Sequence, residues 1–249
     1  LKHRLIGWAT HRVSGVMCMG KLGQQYFEKY GVDPERIYRL TYLPDYDFFE
    51  KDDPQERRAL REQFNLSEDR QYIIYSGRLI QVKRVDTLID AYAQLADQLP
   101  GWDLLIAGDG VLRDSLKARV PQAVRDRVHW LGFLDAPALR SAYHMSEVLV
   151  LPSSYEPWAL VVNEAMAAGL VVVSSNVVGA AGDLVVDGES GRTFEPGDTR
   201  ALAEALLDVT RTERYASMKQ RSAEILHNWR SEADTIPVLW RALHDAGVL

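Results

Sequence analysis

Glu156 and Glu164 stand with seven residues between them in the stretch Ser153 to Gly169, SSYEPWALVVNEAMAAG. The run before them, EVLVLPS, is β-branched and leucine-rich and stops at Pro152, so it reads as a buried strand opening into a loop. An apolar helix follows, which makes the stretch a strand-to-helix junction. Such a junction offers unpaired backbone N–H groups and the positive end of a helix dipole, a seat for phosphate. Two helical carboxylates at this spacing would lie roughly 12 Å apart along the axis and about 80° around it. That span suits an extended ligand with hydroxyls at both ends and a diphosphate between them, a nucleotide sugar in outline. The same spacing occurs on any solvated helix, so the surroundings have to carry the argument.

A second junction carries cations. In QYIIYSGRLIQVKRVDTLIDAYAQLADQLPG the strand YIIYS breaks at Gly77, and Val85, Leu88, Ile89, Tyr92, Leu95, Ala96 and Leu99 recur on one face of a helix. Between them lie Arg78, Lys83 and Arg84, at the carboxyl end of a strand, where open α/β sheets bind ligands. A planar guanidinium grips two phosphate oxygens at once, and an ammonium adds a compact charge. In a surface loop such residues are more often simply solvated.

Other candidates carry less. Gly108-Asp109-Gly110 after WDLLIA lacks the third glycine of a dinucleotide fingerprint and does not follow the first strand of its sheet, so it reads as a tight reversal. Asp45-Tyr46-Asp47 has the form of a metal-binding pair, but no third ligand is evident and turn chemistry explains it, so no metal is expected. Cys18 in GVMCMG reads as a small buried hydrophobe rather than a catalytic thiol. Gly132, Phe133 and Leu134 close another strand and read as core and loop packing.

The elements that would position these groups alternate. From about residue 70 to about residue 210, five or six strands with continuous Val, Leu and Ile runs alternate with helices, the pattern of a doubly wound parallel sheet. Asp53 with Pro54 opens one helix, and Asp198 caps another. Upstream, VSGVMCMG, KLGQQYFEKYG and RIYRLTYLP read as a strand, a helix closed by Gly31 and a second strand, before a break at PDYDFFEKDDP. A lone unit of this kind has a sheet edge and face with nothing to cover them. Residues 1–45 are therefore expected to be the end of a preceding domain whose main body lies outside this sequence, which begins at Leu1 and not at a methionine. Residues 46–212 form the expected main domain, closing with the glycine-rich turns and short strands of VVGAAGDLVVDGESGRTFEPGD. Two amphipathic helices, about 213–227 and 231–245, finish the chain, with Trp229 and Trp240 as packing anchors.

Composition bounds the function class. With 249 residues, 47% hydrophobic and 26% charged, the chain can bury a sizeable core, and no run approaches the length of a membrane span. No signal peptide opens it, and one cysteine excludes an internal disulfide framework and fits a reducing cytosol. A net charge of −6 argues against a nucleic-acid partner. Residues 1–40 nevertheless hold seven Lys or Arg against three acids, a net +4 that leaves −10 for the rest. A basic edge of this kind leaves open contact with the inner face of a membrane, although it is more often a solvated face.

Glu156, seven residues, Glu164 and then AMAAG resemble the donor-site motif of the retaining glycosyltransferases of family 4, whose GT-B fold sets two Rossmann-like domains face to face. The likeness runs in order through SGRL, AGDG, LGF, EPWALVVNEAMAAG and DGESG, and such ordered agreement is more specific than any one motif. It implies an α/β fold, a doubly wound Rossmann-like parallel sheet forming the C-terminal half of a GT-B fold, with a partial N-terminal-domain unit and final helices that pack back toward that unit. It implies an enzyme moving a sugar, with retention, from a nucleotide-diphosphate donor to a cell-surface glycan or lipid-linked acceptor, in the cytoplasm and without a metal or other cofactor.

Residue by residue, Arg78 and Lys83 match the positions that contact the donor diphosphate, helped by N–H groups near Ala159 and Leu160. Glu156 would hold sugar hydroxyls, Glu164 the ribose, and backbone around Leu134 the base. Arg78, Lys83 and Glu156 are the expected catalytic set, with no covalent nucleophile assigned. The chain departs from the pattern at Pro157 and Ala159, where many relatives have glycines and where proline supplies no N–H, and at Asp183, where many have glutamate. None of the six histidines, His11 included, sits in a matching motif. A binding or interaction module that kept the pocket and lost transfer is the competing reading. The intact set of four charged residues favours the enzyme.

Overall fold

The computed structural model describes residues 2–40, 42–232 and 234–249. The chain opens with helix α1 (Lys2–Thr10), which the sequence pattern did not announce. Strand β1 (Val16–Cys18), helix α2 (Gly20–Lys29) and strand β2 (Ile37–Arg39) follow, with β1 and β2 paired in parallel. Both strands are shorter than expected. Leu40 N still donates to the Cys18 carbonyl at 2.9 Å, and Thr41, inside the expected second strand, lies outside the described residues. Arg36 ties the unit together by donating to the carbonyls of Ser14, Thr10 and Val13.

A short helix α3 (Tyr46–Glu50) leads into α4 (Pro54–Phe64), where Asp53 accepts from Gln55 N and Glu56 N as its cap. The main sheet then builds in strict alternation: β3 (Gln71–Ser76), α5 (Val85–Leu95), β4 (Trp102–Ala107), α6 (Arg113–Arg119), β5 (Val128–Gly132), α7 (Ala136–His144), β6 (Val148–Leu151), α8 (Leu160–Ala167), β7 (Val171–Ser175), α9 (Gly179–Leu184), β8 (Gly191–Phe194) and α10 (Thr199–Val209). Helices α11 (Thr212–Glu232) and α12 (Thr235–Asp245) close the chain; Ala233, within the last expected helix, is outside the described residues.

All pairings in the main sheet are parallel, in the order β5-β4-β3-β6-β7-β8. Strands covered by helices on both faces need apolar residues at every position, not at alternate ones. Tyr72 to Tyr75 in β3, Leu104 to Ile106 in β4 and Val148 to Val150 in β6 are accordingly all inaccessible to solvent. The sequence VVGAAGDLVVDGESG, expected to be turns with short strands, contains α9. Gly179 is needed for close approach and not for a turn: a Cβ on it would stand 1.9 Å from the Pro157 carbonyl oxygen. Ala180 and Ala181 beside it are buried, so a helix of small residues can slide in where a larger one cannot.

Candidate functional site

In this strand order the chain leaves β3 toward β4 on one side, and β6 toward β7 on the other. The loops at the carboxyl ends of these two neighbours therefore diverge over the sheet and leave a crevice, the place where open α/β sheets bind ligands. Both charged stretches singled out from the sequence lie there. They are stitched together by backbone: Ser154 N donates to the Val82 carbonyl at 2.8 Å, and the Ser154 hydroxyl reaches the same oxygen at 3.2 Å. Across the seam Lys83 Nζ makes an ion pair with Glu156 Oε2, both side chains mostly shielded from water.

The cationic side is shaped by what lies beneath it. Tyr75, inaccessible to solvent, donates its hydroxyl to the Arg78 carbonyl at 2.9 Å. Burial, with the negative charge of Glu156 adding to it, pushes the Tyr75 pKa far above its ordinary value, so the group remains a donor. The Gly108-Asp109-Gly110 turn is the other support. Leu79 N donates to the Asp109 carbonyl at 2.9 Å and Leu112 N to the Leu79 carbonyl at 3.1 Å. A Cβ on Gly108 would meet the Gly77 carbonyl oxygen at 1.8 Å, so the turn is glycine because the Arg78 loop lies directly against it. Arg78 itself is exposed, and its guanidinium has no ion-pair or hydrogen-bond partner among the described residues. Arg84, by contrast, turns away at φ +50° and pairs with Asp86 at 3.1 Å, so the third cation of the loop does not face the crevice group.

On the carboxylate side the two glutamates are not both helical. Glu156 precedes the helix, in the loop, and only Glu164 is helical, so the axial spacing computed for a continuous helix does not apply. Ala159 is the N-cap of α8 at φ +80° and ψ +82°, with no side chain capping the helix. Its left-handed backbone explains why glycine is the easier residue here. The loop is held from behind: Gly179 N donates to the Glu156 carbonyl at 3.0 Å and Ala180 N to the Trp158 carbonyl at 2.8 Å. Trp158 is buried, stacks on Trp229 of α11 with ring centroids 5.5 Å apart, and donates Nε1 to Asn163 Oδ1 at 3.2 Å. Asn163 Nδ2 in turn donates to the Tyr46 hydroxyl at 2.9 Å. Trp158, Asn163 and Tyr46 carried no signal in the sequence beyond ordinary packing residues.

Glu164 lies in the second turn of α8. Burial raises its pKa, and the hydrogen bond from the Tyr143 hydroxyl, at 3.3 Å, only partly offsets this. Leu160 opens α8 and is partly exposed. Leu134, after β5, packs partly against the core, and Phe133 beside it is 82% exposed.

The remaining candidates have structural duties. Asp45 accepts from Phe48 N as the cap of α3, and Asp47 pairs with Arg230 at 3.1 Å. The Cys18 thiol is pushed up to about 11 by burial, which leaves it protonated and inert at neutral pH. His129 bonds Asp103 at 2.9 Å, His144 the Phe49 carbonyl at 2.9 Å and His11 the Gly7 carbonyl at 2.6 Å, all away from the crevice loops.

Comparison with known proteins agrees with this geometry. Residues 56–225 match the family described as glycosyl transferases group 1. The chain is 34% identical over 191 residues to the alpha-D-kanosaminyltransferase of Streptomyces kanamyceticus, covering 76% of this chain and 48% of that protein. It is 37% identical over 155 residues to a glycogen synthase of Mycobacterium tuberculosis, covering 61% of this chain and 36% of the synthase. The chain thus spans half or less of the length of these relatives. Among solved structures, Anabaena HepE in complex with UDP and glucose superposes over 99% of this chain and 67% of its own, at a TM-score of 0.80 and 23% identity. Sucrose-phosphate synthase from Thermosynechococcus elongatus superposes over 98% of this chain and 62% of its own, with a TM-score of 0.79 and 25% identity.

Proposed function

The chain belongs to the glycosyl transferases group 1 family, and from that premise we propose that it is the donor-binding part of a retaining, hexosyl-type glycosyltransferase of family 4. The observation that carries this reading is the Lys83–Glu156 ion pair, which joins the loop after β3, where Arg78 lies, to the loop before the uncapped α8, where Glu164 lies. The donor is a nucleoside-diphosphate sugar. Its diphosphate takes Arg78, Lys83 and the backbone at Ala159 and Leu160; its ribose takes Glu164; its base lies along Leu134. A diphosphate competes with Glu156 for Lys83, and the carboxylate so released turns to the sugar hydroxyls. Charge on the departing diphosphate and on an oxocarbenium-like ring are thus met by opposite charges held in place beforehand.

The acceptor in this reading is a cell-surface glycan or a lipid-linked precursor, and the work is polysaccharide or glycolipid assembly in the cytoplasm, with the basic residues 1–40 on the side that would meet a membrane. No metal or further cofactor is required. Residues 1–45 belong to the acceptor-side domain, 46–212 to the donor domain, and 213–249 form helices returning toward the first. The Tyr38 hydroxyl donating to Asp245 Oδ2 at 2.9 Å supports that last assignment. The names of the curated relatives support sugar transfer as the reaction class.

Thermal stability of the 249-residue chain measured against UDP, GDP, ADP and their sugar conjugates tests the reading. A ligand at 100 times its dissociation constant should add about 2.7 kcal/mol. Stabilisation by one nucleotide series, lost in Arg78→Ala and Glu164→Ala, is expected; no stabilisation by any of them overturns the donor site. Retention is tested separately, by the anomeric configuration of the product made by the full-length protein.

A further inference from the structure

The Glu164 carboxylate has one hydrogen-bond partner among the described residues, the hydroxyl of Tyr143. Tyr143 comes from α7 and is wholly inaccessible to solvent. A carboxylate can only accept, so the direction of the bond is set: Tyr143 donates to Glu164. Burial and the neighbouring Glu164 charge push the Tyr143 pKa well up, so this donor does not switch off at any working pH.

The consequence lies in which oxygen remains. Oε2 of Glu164 is engaged by Tyr143, and Oε1 keeps its lone pairs for a ligand. A glutamate has three rotatable bonds, and an untethered carboxylate would seldom hold the one orientation that accepts from two adjacent hydroxyls. The tether joins two helices on either side of β6, Tyr143 from α7 before it and Glu164 from α8 after it. We propose that Tyr143 is the positioning residue that sets Glu164 to receive a ribose diol, and that this hydrogen bond gives the site its preference for ribonucleotides over deoxyribonucleotides. The inference rests on the assignment of Glu164 to the ribose made above.

Calorimetric titration of the 249-residue chain with UDP, GDP and ADP, and with their 2′-deoxy and 3′-deoxy counterparts, tests it. The proteins compared are the unsubstituted chain, Tyr143→Phe, Glu164→Ala and the double variant. Loss of one positioning hydrogen bond should weaken the tightest ribonucleotide about five- to tenfold in Tyr143→Phe and leave its deoxy counterparts nearly unchanged. The double variant should bind no more weakly than Glu164→Ala alone, because the hydroxyl acts only through the carboxylate. Equal weakening of ribo and deoxy ligands would mean that Tyr143 merely supports the fold, and overturns the proposal. Should Tyr143→Phe fail to fold, Glu164→Asp, which keeps the charge but draws it back from the Tyr143 hydroxyl, must show the same selective loss for the proposal to stand. An unsubstituted chain that does not discriminate ribose, or one indifferent to Glu164→Ala, overturns the ribose assignment itself. Discrimination lost in Glu164→Ala but kept in Tyr143→Phe overturns only the positioning role of Tyr143.

Discussion

Glu164 pays for its place in stability. Its carboxylate is largely withdrawn from water with one neutral donor beside it, and its pKa is raised above the 4.5 of a free glutamate. A raised acid pKa means that the folded chain holds its proton more tightly than the unfolded one. Stability therefore falls as the pH rises from 4.5 through the folded value, and stays lowered at neutrality. Glu164→Gln removes that penalty. It should raise stability at pH 7 by about 0.5–1 kcal/mol while impairing nucleotide binding, a usual trade at functional sites. Denaturant melts at pH 7 and pH 4 should show the gain at the first and not at the second; a loss at pH 7 would contradict the argument. Ala159 offers the opposite case, strain without charge. At φ +80° its Cβ is crowded, and Ala159→Gly should stabilise the chain by about 0.5–1 kcal/mol with the crevice geometry kept. A melt unchanged or lowered by Ala159→Gly would show that the loop has other reasons for that backbone.

Among the elements, the two ends of the sheet divide the labour. At the carboxyl end the loops carry unpaired or shared charge; at the opposite end Asp103, near the start of β4, gathers Arg70, Arg127 and His129 into one knot. Burial works against the Asp103 carboxylate, but hydrogen bonds from His129 and Arg70 outweigh it and hold the pKa below the ordinary 3.8. The sign follows: this stabilisation is fully present above pH 3.8 and is lost as the pH falls through the folded value beneath it. Asp103→Asn, which leaves partly buried guanidinium groups without a counter-charge, should cost about 2–3 kcal/mol at neutral pH. The two proteins should converge in acid, and a constant difference across pH would exclude the ionic account. Much of this level was legible in sequence, because continuous apolar runs, Asp caps and glycine breaks are local signals. Asp53 and Asp198 cap where expected. What was hidden depended on neighbours distant in the chain: α9 is helical because it packs under the Glu156 loop, and Glu156 lies outside α8 because that loop is pinned by Gly179 and Ala180. Tyr75 and Tyr143 are core tyrosines; that Tyr75 donates to the Arg78 carbonyl and Tyr143 to Glu164 is a matter of tertiary geometry.

At the scale of the whole molecule, the small β1-α2-β2 unit has to be fixed against the main sheet for anything bound at the crevice to meet what lies beyond it. Met17, Met19 and Tyr26 of that unit face Tyr155, Glu156 and Pro157 across a cleft of about 480 Å³. A buried carboxylate fastens the unit to α9 beside the sheet. Asp183 of α9, its side chain 3% exposed, accepts from Lys21 N at 2.8 Å and lies 4.0 Å from Arg39. A carboxylate at the N-terminus of α2 satisfies an orphan N–H and meets the positive end of the helix dipole. Gly20 makes room for it, since a Cβ there would fall 2.4 Å from Asp183 Oδ2. The short aspartate side chain fits this close approach. Asp183→Ala should therefore loosen the unit and spare the sheet. Amide exchange in Gly20–Lys29 should accelerate by about tenfold, equal to about 1.4 kcal/mol of local opening, while exchange in β3 to β7 stays as it was. Uniform acceleration throughout the chain would mean that Asp183 supports global stability, and no change would mean that apolar packing between α2 and α9 suffices alone. The selective outcome is the one that makes Asp183 the fastening between the crevice loops and the β1-α2-β2 unit.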